Sequence, residues 1–115
     1  MSDVAKMMGE LTDYSRKLAV ASNEYTDACQ SAAIRRSDYD VAWAKALLRS
    51  DGSAKDVREA EAVQVCETEM RDARIAEALR DALKERIRAL EAVLNATQTR
   101  SRFLEHEMKL GDRYQ

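Results

Sequence analysis

Apolar and aromatic side chains recur at a seven-residue spacing along both halves of this chain. In the first half the repeat runs through Val4, Leu11, Leu18, Tyr25, Ala32, Tyr39 and Ala46, with companions at Met7 or Met8, Tyr14, Ala21, Cys29 and Trp43. In the second half it runs through Leu83, Leu90, Thr97 and Leu104, with companions at Ile87, Leu94, Ser101 and Met108. A seven-residue repeat divided into three and four is typical of helices packed side by side as in a coiled coil. The pattern therefore predicts two long helices.

One strong break separates the two repeats, at the sequence Ser50-Asp51-Gly52-Ser53. Ser50 and Asp51 suit a turn, and Gly52 is expected to adopt the left-handed backbone conformation that ends a helix. Ser53, followed by Asp56, resembles a helix N-cap with an acidic residue in the first turn. The sequence therefore predicts a tight turn between the two helices.

The predicted organisation is a single unit over residues 1–115, with a helix over about 3–50, a turn over 50–53 and a helix over about 54–110. Gly111 is expected to cap the second helix. Helices this long are more than an isolated hairpin usually supports, so one of them is expected to be bent or split. The repeat slips by about one residue near Ala76, which changes supercoiling locally. The expected fold class is all-α, a long helical hairpin.

The composition favours helices and limits the core. The chain has no proline and only three glycines, and 35% of its residues are charged, so little would interrupt a helix. Much of its hydrophobic share is alanine, and one Phe, one Trp and four Tyr do not fill the centre of a globule. A thin layer of small apolar residues often needs a second subunit to cover it. We therefore expect a homo-oligomer that associates through the faces carrying the repeat.

Membrane insertion and disulfide bonding are both disfavoured. No apolar run approaches the roughly 18 residues that cross a membrane, and no apolar signal-peptide region follows the first residues. We therefore expect a cytoplasmic protein. A simple hairpin would not place Cys29 opposite Cys66, so both are expected to be small apolar residues, not a bridged pair.

Enzymatic chemistry has little support in the sequence. The chain has no glycine-rich phosphate loop and no nucleophile elbow. The one histidine, His106, lies between Glu105 and Glu107, and adjacent residues on a helix do not face the same way. His106 has no metal-ligand partner three or four residues away. We expect no catalytic residue, metal site or cofactor.

The formal net charge of −2 hides an uneven distribution of charge. Residues 51–70 carry two basic and six acidic side chains, whereas residues 71–102 carry eight basic and five acidic ones. Arginine can clamp a phosphate with two hydrogen bonds and can stack on a base. The candidate nucleic-acid contacts are Arg71, Arg74, Arg80, Lys84, Arg88, Arg100, Arg102 and Phe103.

The heptapeptide over residues 97–103 contains the strongest candidates. No acidic residue occurs between Glu91 and Glu105, so Arg100 and Arg102 have no carboxylate within the two preceding turns. The hydroxyl and amide side chains here could bond phosphate or sugar, and Phe103 could stack on a base. The alternative is an interface: Arg100 would pair with Glu105 or with a neighbouring subunit, and Phe103 would cover the core.

Two other groups of side chains allow a nucleic-acid interpretation. Arg35 and Arg36 could contact phosphate, although a polar pair that sets the helix register, or a solvated face, explains them as well. Tyr25, Tyr39 and Trp43 are expected in the core or in a subunit interface, with base stacking by Trp43 as the alternative.

The layout resembles small helical proteins of tailed bacteriophages and prophages. A tyrosine-bearing first helix leads into Tyr39-Asp40-Val41-Ala42-Trp43-Ala44-Lys45-Ala46-Leu47, and a short Gly-Ser turn precedes an arginine-rich helix ending in Thr99-Arg100-Ser101-Arg102-Phe103-Leu104. The pattern is remotely similar to the UvsY recombination mediators over about residues 20–108. That resemblance implies a helical oligomer that binds single-stranded DNA and helps to load a recombinase onto strands covered by single-strand-binding protein. It places Arg100, Arg102 and Phe103 on the family's late Arg-x-Phe.

Three functions therefore stand as hypotheses. The first is a phage-type recombination mediator or accessory protein with single-stranded DNA, a recombinase and a single-strand-binding protein as partners. The second is a helical adaptor, scaffold or assembly chaperone of phage type that binds only protein. The third is a regulator of a host protein, which the sequence does not separate from the second.

Overall fold

The computed structural model describes residues 3–52 and 54–114, with side chains through residue 112, and it contains three helices. Helix α1 is Asp3–Arg49, α2 is Lys55–Val65 and α3 is Glu67–Tyr114. The described residues form no strand, so the prediction of an all-α helical hairpin is confirmed. The predicted capping role of Ser53 lies outside the described residues.

The second predicted helix is divided at Cys66. The backbone of Cys66 has φ −98° and ψ 16°, away from ideal helical values. The hydrogen bonds around it are nevertheless helical, since Cys66 N donates to Ala62 O at 2.9 Å and Met70 N donates to Cys66 O at 2.9 Å. The division therefore lies ten residues before the slip predicted near Ala76, whereas α1 is unbroken.

Gly52 is needed for space and not for a left-handed backbone. None of the described glycines has a positive φ, so the predicted left-handed conformation of Gly52 is wrong. A Cβ atom at this position would lie 2.8 Å from Cγ1 of Val57, well inside van der Waals contact. Ser50 also stabilises the turn, because its Oγ accepts a hydrogen bond from Gly52 N at 3.1 Å and donates one to Glu61.

Helix α2 begins close to the predicted position, whereas α3 ends later than predicted. Helix α2 begins after Ala54, which has an extended backbone (φ −92°, ψ 147°) and forms no side-chain hydrogen bond that caps the helix. At its C-terminal end α3 continues to Tyr114, so the prediction that Gly111 ends the helix is wrong. A Cβ atom at Gly111 would meet nothing within 4 Å, which fits an ordinary helical position.

The chain divides into two compact units, and α1 and α3 contribute to both. Unit 1 consists of Met1–Glu24 with Lys84–Gln115, and unit 2 is Tyr25–Leu83. In unit 2 the buried residues Ala46, Ala62 and Cys66 form one cluster, and partly buried hydrophobic side chains pack against it. They are Tyr39, Ala42, Trp43 and Leu47.

Alanine fills most of the buried positions. Among the described residues the buried hydrophobic side chains are Ala21, Ala28, Ala32, Ala46, Ala62, Cys66 and Ala73. The seven-residue repeat of the sequence is half-buried or buried throughout, except at its outer ends, where Val4, Met8 and Met108 are exposed. Much of the face that the sequence assigned to oligomerisation is therefore packed within the chain, and association through it stays a prediction.

Candidate interaction surfaces

Three of the candidate arginines have carboxylate partners on their own helix. Arg71 donates to Glu67 at 3.0 Å, Arg80 to Asp81 at 3.0 Å and Arg88 to Glu85 at 2.8 Å. Asp81 also raises the pKa of Arg80 above the ordinary arginine value through this hydrogen bond. Exposed pairs of this kind contribute little to stability, but each places a negative charge where a phosphate would have to lie.

Within the heptapeptide over residues 97–103, the expectation of an arginine without an acidic neighbour is wrong for Arg100. Its guanidinium donates to Glu10 of α1 at 3.0 Å, inside unit 1. The acid comes from 90 residues away along the chain, which a search of neighbouring sequence misses. The interface alternative named Glu105 or a second subunit as the partner, and the structure instead provides Glu10.

Two of the three hydroxyl groups of the heptapeptide, those of Thr97 and Thr99, also form hydrogen bonds within α3. Thr97 is only 2% exposed and donates to Val93 O at 2.9 Å, and Thr99 donates to Asn95 O at 2.9 Å. The side chain of Thr97 therefore lies inside unit 1, out of reach of a phosphate.

The remaining candidates are exposed. Arg74, Lys84 and Arg102 lie on the surface, and within the described part of the chain none of them forms an ion pair. Phe103 is 63% exposed and borders a shallow groove of unit 1 whose lining includes Met7, Leu104 and Glu107. Arg102 and Phe103 therefore keep the properties that the nucleic-acid interpretation requires, although Glu107 places a negative charge beside them.

The two arginines of α1 differ in environment. Arg36 forms an ion pair with Glu77 of α3 inside unit 2, and its guanidinium lies 5.5 Å from the ring centre of Tyr39. Arg35 is exposed. Tyr39 in turn packs 6.2 Å from Trp43, and both border the buried cluster of unit 2. The prediction that these aromatic side chains belong to the core is confirmed for Tyr39 and Trp43.

The two cysteines are free and differ in exposure. Cys66 is buried and Cys29 is half-buried. Burial, with a smaller contribution from the negative charge of Glu69, raises the pKa of the Cys66 thiol. Tyr25 has a raised pKa because of a hydrogen bond and electrostatic interaction with Cys29. Cys66 therefore has the buried position predicted for both thiols, whereas Cys29 is only half-buried.

An apolar groove lies in unit 1, where the first turns of α1 face the last turns of α3. Six apolar side chains line it, together with Ser101 and Glu105; they are Val4, Met7, Met8, Leu11, Leu104 and Met108. Met8 and Met108 are 62% and 55% exposed. We call this the methionine groove. Sequence reasoning assigned these residues to the packed repeat and did not anticipate an open surface.

Unit 2 carries further exposed apolar side chains on both helices. Ile34, Val41 and Leu48 of α1 are 60%, 50% and 87% exposed, and Ile75 and Leu79 of α3 are 61% and 55% exposed. Their spacing was visible in the sequence, because Ile34, Val41 and Leu48 are separated by seven residues. The packed face of α1 carries the longer seven-residue repeat, and that repeat predicted burial along this helix and no exposed stripe.

The described residues provide neither a metal-binding cluster nor a membrane-spanning helix. No group of three or more His, Cys, Asp or Glu side chains within residues 3–52 and 54–114 is placed to hold a metal ion. No helix in that same part of the chain is long and apolar enough to cross a membrane.

Comparison with known proteins adds no relative. No protein-family model, no curated protein and no solved structure matches the chain. The likeness to recombination mediators therefore remains a prediction from sequence, and the function has to be argued from the surfaces just described.

Proposed function

We propose that this protein is a helical adaptor that binds another protein by taking an amphipathic helix of that partner into the methionine groove. The observation that supports the proposal is the groove itself, which gathers Met7, Met8 and Met108 at one surface of unit 1. Exposed methionines are adaptable contacts that recur at surfaces binding several partner helices. Binding of a helix in a groove is a common mode of peptide recognition.

The charge at the groove specifies the partner further. Glu105 is the one ionisable side chain in the lining of this groove. A partner helix that buries apolar residues against the methionines would therefore carry Lys or Arg where it meets Glu105. Since the contact is mainly apolar, its affinity should change little with salt concentration, unlike that of a phosphate-binding surface.

Site-specific cross-linking tests the adaptor. A photoreactive amino acid at position 8 lies in the groove, and one at position 20 of the same helix is the matched control, because Val20 is 50% exposed and lies outside the groove. We expect one helical protein to be cross-linked from position 8 and not from position 20. That protein, purified, should bind Met8→Lys about tenfold or more weakly than the wild type, because a buried methionine contributes about 1.5–3 kcal/mol.

The outcome that would contradict the adaptor is equally concrete. Equal cross-linking from positions 8 and 20 would mean that the groove selects no partner. The purified partner could also bind the Met8→Lys variant, the Val20→Lys variant and the wild type with equal affinity. That result would exclude the groove as the contact.

Single-stranded DNA binding, as in a recombination mediator, is the second candidate. The observation that favours it is that Arg102 lies beside Phe103. Arg102 is exposed and forms no ion pair among the described residues, and the ring of Phe103 is 63% exposed. The arginine would hold a phosphate and the ring would stack on a base. Unit 1 carries ten basic and nine acidic residues, so this binding would depend on placement of charge and not on excess charge.

Fluorescence anisotropy with a labelled oligonucleotide across a salt series tests this second candidate. Arg102→Ala should weaken binding and reduce the dependence of affinity on salt, whereas Arg71→Ala, which removes an arginine already paired with Glu67, is the matched control. Equal affinities for wild type and Arg102→Ala would remove Arg102 from any DNA surface. Absence of binding at about 50 mM salt would reject the mediator.

A further inference from the structure

The exposed apolar stripe of α1 lies on a face of unit 2 that its core does not use. Ile34, Val41 and Leu48 follow one another at seven-residue intervals, and seven residues make nearly two helical turns. All three are at least half exposed, and Leu48 is 87% exposed. A line of large apolar side chains over about 21 Å of helix is a surface that proteins usually cover.

The ion pair between Arg36 and Glu77 shows which way this surface faces. Ile34 comes two residues before Arg36, and Ile75 comes two residues before Glu77. Two residues correspond to a rotation of about 200° around a helix. The apolar side chains of both helices therefore project away from the edge that carries the ion pair, and Leu79, two residues after Glu77, does so as well. Unit 2 thus carries five exposed apolar side chains, and none of them lies at the edge that carries the Arg36–Glu77 ion pair.

The stripe is complementary to itself when two copies run antiparallel. Val41 lies midway between Ile34 and Leu48, so a second copy with its Val41 opposite the first would place Ile34 against Leu48 twice. Asp38 and Lys45 lie on one edge of the stripe, three residues before and four after Val41. In the same arrangement Asp38 of each copy would meet Lys45 of the other. Both are exposed, and neither forms an ion pair within the described ranges.

We propose that a second copy of this chain docks antiparallel along Ile34, Val41 and Leu48, with Asp38 and Lys45 pairing across the interface in both directions. Such an interface is isologous: the same residues serve on both copies, and the arrangement closes at two subunits. The proposal goes beyond the adaptor function, because it uses unit 2 and leaves the methionine groove open.

The arrangement also brings one pair of like charges to the same side of the dimer. Asp40 is rotated by about 100° from Val41, on the other edge of the stripe, so the two copies of Asp40 lie on either side of the symmetry axis. Like charges at such a position oppose association. The same geometry that makes Asp38→Lys harmful therefore makes Asp40→Asn favourable, and an unrelated docking mode would not produce both effects.

Charge reversal with rescue tests the proposal on the full chain by sedimentation equilibrium. The wild type should dimerise, Asp38→Lys and Lys45→Asp should each weaken dimerisation about tenfold or more, and the double variant should recover most of the loss. Asp40→Asn should tighten the dimer. Glu85→Lys, a reversal at an exposed residue of unit 1, is the matched control and should dimerise as the wild type, and circular dichroism verifies that each variant is helical.

Disulfide trapping provides a second measurement in a Cys29→Ser, Cys66→Ala background. A mixture of Ile34→Cys and Leu48→Cys chains should form the mixed disulfide in preference to either homodimer, which only an antiparallel arrangement allows. A monomeric wild type at about 100 μM, or a dimer indifferent to all three single substitutions at Asp38, Asp40 and Lys45, would overturn the proposal. Met8→Lys should leave the dimer unchanged, so loss of partner binding and loss of dimerisation are separate results.

Discussion

Replacement of Thr97 by valine distinguishes two possible roles of this residue, a buried core position and a ligand of phosphate. Thr97 occupies the apolar repeat of α3, is 2% exposed, and donates its hydroxyl to Val93 O at 2.9 Å. Valine has nearly the same shape and a methyl group in place of the hydroxyl. The carbonyl of Val93 keeps its helical partner, because the backbone N–H of residue 97 is unchanged. No buried acceptor is therefore left unsatisfied.

The expected magnitude follows from two opposing quantities. Loss of the hydrogen bond costs about 0.5–1.5 kcal/mol, and relief of a buried hydroxyl returns about 1–3 kcal/mol. The free energy of unfolding of Thr97→Val should thus lie between about 0.5 kcal/mol below and about 2.5 kcal/mol above that of the wild type. Thr97→Ser makes the converse change: it keeps the hydroxyl and deletes a buried methyl, which should lower the free energy of unfolding by about 0.8 kcal/mol or more.

Urea denaturation followed by circular dichroism measures both variants, and oligonucleotide anisotropy measures their DNA binding. Thr97→Val should be more stable than Thr97→Ser, with unchanged affinity for DNA. A valine variant that is less stable than the serine variant would refute the buried, helix-bonded hydroxyl. A selective loss of DNA affinity in Thr97→Val would show that the hydroxyl reaches the ligand.

Two further outcomes follow from the turn and the buried thiol. Burial and Glu69 raise the pKa of Cys66, so the contribution of this thiol to stability is complete below the ordinary thiol pKa of about 8.5 and is lost as the pH rises through the raised value. Cys66→Ala should therefore reduce the fall in the urea midpoint between pH 7.5 and 10. An unchanged fall would show that the thiol does not cause this pH dependence. In the turn, Gly52→Ala should destabilise by about 1 kcal/mol, because its Cβ would lie 2.8 Å from Val57. Val57→Ala should remove most of that cost in a double-mutant cycle, and independent effects of the two substitutions would show that they do not touch.

The sequence predicted the parts of this fold that depend on local periodicity. The packed face of α3 follows from the spacing of Leu83, Leu90, Thr97 and Leu104, all half-buried or buried, because side chains seven residues apart lie on one face of a helix. The sequence predicted that one of the two long helices would be bent or split, but it did not predict which helix or at which residue. Its position depends on how α2 and α3 meet α1, which a local pattern does not specify.

Candidate contacts were harder to predict than the fold. Arg100 lacks an acid nearby in sequence, but the hairpin brings Glu10 to 3.0 Å across 90 residues. The search for arginines without acidic neighbours therefore identified one that is paired and one, Arg102, that is not. Gly52 illustrates the same limit, because its role depends on where the Val57 side chain lies and not on its own backbone preference.

The alanine core has a calorimetric consequence. Apolar surface exposed on unfolding raises the heat capacity, and typical domains gain about 12–15 cal/mol/K per residue. A chain whose buried side chains are mostly alanine, while Ile34, Leu48, Ile75 and Leu79 stay exposed, should gain less. Its stability should then vary only gently with temperature. Covering the exposed side chains on association should instead give a large negative heat capacity change, so titration calorimetry at several temperatures would detect burial that thermal unfolding of the isolated chain does not.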